Sequence, residues 1–85
     1  MISDNPIYMV RRPEACKTLG KGRTAFYNDI NNGLMTPGVA VTSRTVAWPS
    51  DEVSAILKAR IAGKSEADLK ELVQVLLEKR EVEEV

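Results

Sequence analysis

The sequence predicts a mainly α-helical domain with one small β-hairpin, a winged helix-turn-helix carrying an amphipathic helix at its C-terminal end. Three observations carry this expectation. Two short helical stretches are joined by a tight connection containing glycine. Two β-prone runs separated by a polar turn follow them. Beyond these, two further stretches repeat apolar residues at helical spacing. The 85 residues, 44% hydrophobic, make one modest core. Only Tyr8, Phe26, Tyr27 and Trp48 are large aromatics, so they mark where packing is expected.

Residues 1–6 are polar and read as loose. Ile7, Tyr8, Met9 and Val10 form an apolar run too short for a helix, read as a brief strand or a lead-in to the core. Pro13 suits a first helical position, where its missing N–H costs nothing, and Glu14 favours the positive first turn. Ala15 and Leu19 share a face, and Gly20 ends this helix of about two turns in a left-handed cap. Lys21 and Gly22 make the connection. The second helix covers residues 23–32, with Phe26 and Ile30 inward and Asn32-Gly33 as its stop. Residues 34–38 read as a linker containing Pro37 and Gly38. In the hairpin, Val39 and Val41 face Val46 and Trp48 across the turn Thr42-Ser43-Arg44-Thr45, giving one apolar face. Trp48 is read as core.

Pro49 and Ser50 open a third helix, with Asp51 and Glu52 at its electropositive start and Val53, Ile56, Leu57 and Ile61 on one stripe. Gly63 ends it. Ser65-Glu66-Ala67-Asp68 resembles a capping box with Asp in place of Glu. Leu69, Leu72, Val73, Leu76 and Leu77 then line one face, and residues 81–85 read as a fraying acidic tail. The expected division is a winged domain over residues 1–62 and a helical extension over 63–85. Its leucine stripe has two uses, cover for the small core or contact with another copy or partner, of which the second is favoured.

Net charge is zero, but its distribution is uneven. Residues 1–48 hold six Lys/Arg against three acids, +3, and residues 49–85 hold six against nine, −3. A basic front half suits an anionic partner. One cysteine, Cys16, allows no internal disulfide and reads as a small buried hydrophobe. With no histidine, a zinc site lacks ligands, and no cofactor is expected. Neither a signal peptide nor a membrane span is legible, so a cytoplasmic, nucleoid-associated protein is expected. Gly20-Lys21-Gly22 is too short for a phosphate-binding loop, and no paired-carboxylate signature stands out, so an enzyme is not expected.

In this register the chain resembles the AlpA family of phage and prophage regulators, and with them excisionases and the MerR-like winged-helix domains. The resemblance runs from Glu14 to about Ala62. It rests on Gly20-Lys21-Gly22-Arg23-Thr24-Ala25-Phe26-Tyr27, then Gly33, Val39, Arg44, Val46 and Trp48, with no gap from Gly20 to Trp48. Asn28 stands where the family often has Arg, Asp29 where it often has an apolar residue, and Asn31-Asn32 where it has a basic pair. The family's Pro-x-Pro is shifted to Thr36-Pro37-Gly38. Residues 63–85 lie beyond the match.

The resemblance implies a sequence-specific double-stranded DNA-binding protein, a regulator of phage or mobile-element genes or an excisionase. The second helix would enter the major groove. Arg23, Thr24, Tyr27, Asn28 and Asn31 lie off the Phe26/Ile30 face. Asn28 suits adenine, and Arg23 suits guanine or phosphate. Tyr27 is expected on a phosphate, as in the MerR-like relatives. Lys17 and Lys21 are expected on the backbone, and Arg44 with Ser43 and Thr45 on the adjacent minor groove or its phosphates. Each of these is otherwise an ordinary surface residue, and Tyr27 an ordinary core one. An integrase or the transcription machinery would be the protein partner. The competing reading is a protein-interaction adaptor on the same scaffold, favoured by the weakly basic second helix.

Overall fold

The computed structural model describes residues 6–82, with 81 and 82 described by their backbone alone. The expected looseness of residues 1–5 and fraying of residues 83–85 lie outside the described residues. The order is β1 (Met9–Val10), α1 (Arg12–Leu19), α2 (Arg23–Asn31), β2 (Val39–Ala40), β3 (Val46–Pro49), α3 (Ser50–Ile61) and α4 (Glu66–Val82). The architecture is mainly helical, with a small antiparallel sheet in the order β1-β3-β2.

Local chemistry sets the helix ends. Pro13 sits in the first turn of α1, and Gly20 closes it at φ 70°, its N–H directed back to the carbonyls of Cys16 and Lys17. Only glycine adopts that left-handed region without a Cβ penalty. Three residues, 20–22, then carry the chain into α2. Asn32 caps α2, with its N–H on the carbonyls of the preceding turn. Ser65 caps α4, its Oγ accepting from the Asp68 N–H at 3.2 Å, so the serine half of the expected capping box is formed.

The short strands are fixed by register. Met9 faces Pro49 and Val10 faces Trp48. On the other side Val39 faces Ala47 and Ala40 faces Val46. The expected apolar face, Val39 and Val41 with Val46 and Trp48, is corrected here. Ala47 and Trp48 are both buried, while Val41 and Val46 stand half-exposed. The register is the reason: Val39 stands opposite Ala47 and Ala40 opposite Val46, so Val39 and Val41 lie on the other face of the sheet from Val46 and Trp48. A second correction concerns the linker. Leu34, Met35 and Thr36 are buried. The Thr36 carbonyl accepts the Trp48 indole N–H at 2.9 Å. The segment between α2 and β2 is thus core, and it passes so close to Trp48 that a Cβ on Gly38 would stand 3.2 Å from the indole.

The core joins Val10, Cys16, Phe26, Met35, Trp48, Val53 and Ile56 to Val73 and Leu76 of α4. Phe26 meets Trp48 edge-on, with ring centroids 4.9 Å apart. Leu69, Val73 and Leu76 are buried, and Leu72 and Leu77 pack partly against them. Of the two uses foreseen for this stripe, the folded chain displays cover of its own core. Arg80 fastens the far end of α4. Its guanidinium donates to both oxygens of Glu52, at 2.8 and 2.6 Å, and to the Pro37 carbonyl at 3.0 Å. Glu52 stands in the first turn of α3, as expected, and is there a buried ion-pair partner. Ser50, at the start of α3, accepts from the Tyr8 N–H and ties down the chain ahead of β1.

Candidate nucleic-acid interface

α2 divides into two faces. Phe26 and Asp29 are buried and Ile30 is partly buried. Arg23, Thr24, Tyr27, Asn28 and Asn31 are all exposed. Spacings of three and four place these five side by side on the outer surface of the helix. Asn28 offers amide donor and acceptor together, the pair that recognises the edge of an adenine. Tyr27 is 37% exposed, and its ring rests edge-on against Phe26 with centroids 5.7 Å apart. Its body is anchored to the core while it borders the outer face.

The hairpin tip is a tight turn. The Val41 N–H donates to the Thr45 carbonyl at 2.8 Å, and the Thr45 N–H to that of Thr42. The Thr42 hydroxyl accepts from the Arg44 N–H at 3.2 Å, a local side-chain closure that shapes the turn without glycine. Ser43 and Arg44 lie exposed at this tip, and Thr45 is partly buried beneath it. Arg44 and Thr45 line a surface cleft with Tyr27 and with Arg11 and Arg12 at the start of α1. Pro13 and Val46 form its apolar walls. The cleft joins the outer face of α2 to the hairpin, with Tyr27 common to both.

Lys17 is exposed on the last turn of α1, apart from the residues lining this cleft. Lys21 is engaged inside the protein. Its ammonium lies 2.7 Å from Asp29, which also meets Arg60 of α3 at 3.3 Å. Asp29 is thus a nearly buried anchor that holds α2 to the preceding turn and to α3. Sequence reasoning missed Arg11 and Arg12. An arginine pair ahead of a helix-opening proline was legible, but the β1–β3 pairing that carries it beside the hairpin depends on a two-residue strand. Among the described residues, no cluster of three or more His, Cys, Asp or Glu side chains could hold a metal ion, and no helix is long and apolar enough to cross a membrane.

No protein-family description matches this chain. No solved structure matches it either. The uncharacterized protein ORF88 of Enterobacteria phage P4 is 36% identical over 55 residues, which is 65% of this chain and 62% of that protein. The chain therefore spans less than two thirds of the relative it matches. By this relation it is similar to a small phage protein.

Proposed function

We propose that the chain is a sequence-specific double-stranded DNA-binding protein of the winged helix-turn-helix type, AlpA- and excisionase-like, acting on phage or mobile-element DNA. In this reading α1 and α2 with their three-residue turn are the helix-turn-helix, and β2 and β3 are the wing. The observation that carries it is the continuity of the surface. Five polar side chains on the outer face of α2 run through Tyr27 into a cleft lined by Arg44 of the wing and by Arg11 and Arg12 at the start of α1. A helix of nine residues presented this way fits the major groove, and a cationic hairpin beside it fits the flanking backbone or minor groove. The similarity to a phage protein supports the setting. Transcriptional regulation and excision place the same demands on the domain: an integrase is the protein partner in the second role, the transcription machinery in the first.

The test is a gel-shift titration on promoter and attachment-site fragments at two salt concentrations, comparing wild type with the Arg23→Ala/Asn28→Ala double variant. Discrete complexes that weaken with salt are expected, with a loss of about 2–6 kcal/mol of discrimination in the variant, at about 1–3 kcal/mol for each good base contact. A wild type that shifts no fragment at low salt sinks the reading and turns attention to a protein partner.

A further inference from the structure

We propose that Arg11 and Arg12 form, with Arg44, a phosphate clamp that grips one strand of duplex DNA beside α2. This deepens the DNA-binding reading and rests on it. The sheet order makes the clamp: β1 runs straight into Arg11 and Arg12 and pairs with β3, whose other neighbour leads to the hairpin tip. Three arginines from two distant stretches of sequence therefore line one cleft.

Charge pairing separates these arginines from Arg60 and Arg80; Arg23, outside the cleft, shares their lack of a paired carboxylate among the described residues. Lys21, Arg60 and Arg80 each meet a carboxylate. Among the described residues, Arg11, Arg12 and Arg44 meet none, and no acid lines the cleft. Glu14, in the first turn of α1, is not among the lining residues. Like charges gathered without a counter-ion repel one another, and a bound anion relieves that repulsion. Guanidinium forks match phosphate oxygens two at a time, which suits them to a backbone better than lysines do. The hydroxyls of Tyr27 and Thr45, on the same cleft, add neutral donors. Because Tyr27 also borders the outer face of α2, a phosphate held here fixes which base pair lies opposite Asn28. The clamp thereby sets register, a part that backbone contacts by Lys17 and Lys21 were expected to play; the Lys21 ammonium is engaged by Asp29.

The experiment compares wild type, Arg11→Gln/Arg12→Gln and Arg11→Lys/Arg12→Lys on one duplex that the wild type shifts and one unrelated duplex, over a range of salt. The glutamine variant should lose at least about tenfold in affinity on both duplexes alike. Its slope of log affinity against log salt should be shallower by about 2, at about 0.9 for each phosphate that is no longer held. The lysine variant should keep the slope and recover only part of the affinity. In parallel, the arginine Nε–Hε signals of Arg11, Arg12 and Arg44 in the wild type should move together when the duplex is added, a readout that needs no variant to fold. A glutamine variant whose affinity and slope match those of a wild type that binds DNA overturns the clamp and leaves the DNA-binding reading standing. A loss confined to one duplex, or signals of Arg11 and Arg12 that stay fixed while that of Arg44 moves, overturns the clamp in the same way. Failure of the wild type to bind any duplex at low salt removes both.

Discussion

Thr36 is wholly buried, and its side-chain hydroxyl has no hydrogen-bond partner, although its carbonyl receives the Trp48 indole. A buried hydroxyl without a partner costs about 1–3 kcal/mol of desolvation. Thr36→Val keeps the shape and removes that cost, so a gain of up to about 1 kcal/mol in urea unfolding is expected, with an unchanged dependence on denaturant. A loss of more than about 1 kcal/mol would show that the hydroxyl is satisfied in solution. Trp48 as core and Gly20 as a left-handed cap were legible at this scale, because size and backbone freedom are properties of the residue itself. Asp29, Thr36 and Glu52 were not. Each is a polar residue whose burial depends on a partner or a cover supplied by a distant segment, which no local pattern encodes.

Among the elements, α4 depends on its last turns as well as on its leucines. Arg80 joins it to Glu52 of α3 and to the carbonyl of Pro37. Arg80→Ala leaves a buried carboxylate unpaired and should destabilise the fold by about 2–4 kcal/mol, towards the low side of the range for broken buried pairs because Arg80 is partly exposed. The Glu52→Gln/Arg80→Met double variant should lose less than Arg80→Ala alone, since no charge is then stranded. Thermal or chemical melts of the three proteins check this, and a double variant worse than Arg80→Ala would show that the pair contributes net stability. The helices were legible to within a residue or two, because proline, glycine and apolar spacing act locally. The hairpin was legible as a hairpin, but its facing was not. Facing depends on the cross-strand register, which pairs Val39 with Ala47 rather than with a valine or the tryptophan.

Across the whole molecule, the sequence drew a boundary after residue 62, whereas one core spans it. Val73 and Leu76 share that core with Phe26 and Trp48. Fully burying an aliphatic side chain contributes about 1.5–3 kcal/mol, and a domain of this size has only about 5–15 kcal/mol of net stability. A fragment of residues 1–62 should therefore lack a cooperative thermal transition by circular dichroism and show poorly dispersed amide signals. A cooperative melt within about 1 kcal/mol of the full chain would make α4 an accessory. The contiguous surface of α2, the hairpin and the start of α1 was half legible. Its α2 and hairpin residues could be placed by spacing, and its α1 arginines only by the sheet.

β3 ends at Pro49 and α3 begins at Ser50, with no residue between them. The chain has no slack there. One extra residue would turn α3 by about 100° relative to the sheet and swing Val53 and Ile56 off the core. At the hairpin tip an extra residue changes only how far the turn reaches. Length can therefore drift at the tip, residues 42–44, and not at the joint, so variants of this chain are free to alter how far the hairpin reaches while the angle between hairpin and helix stays fixed.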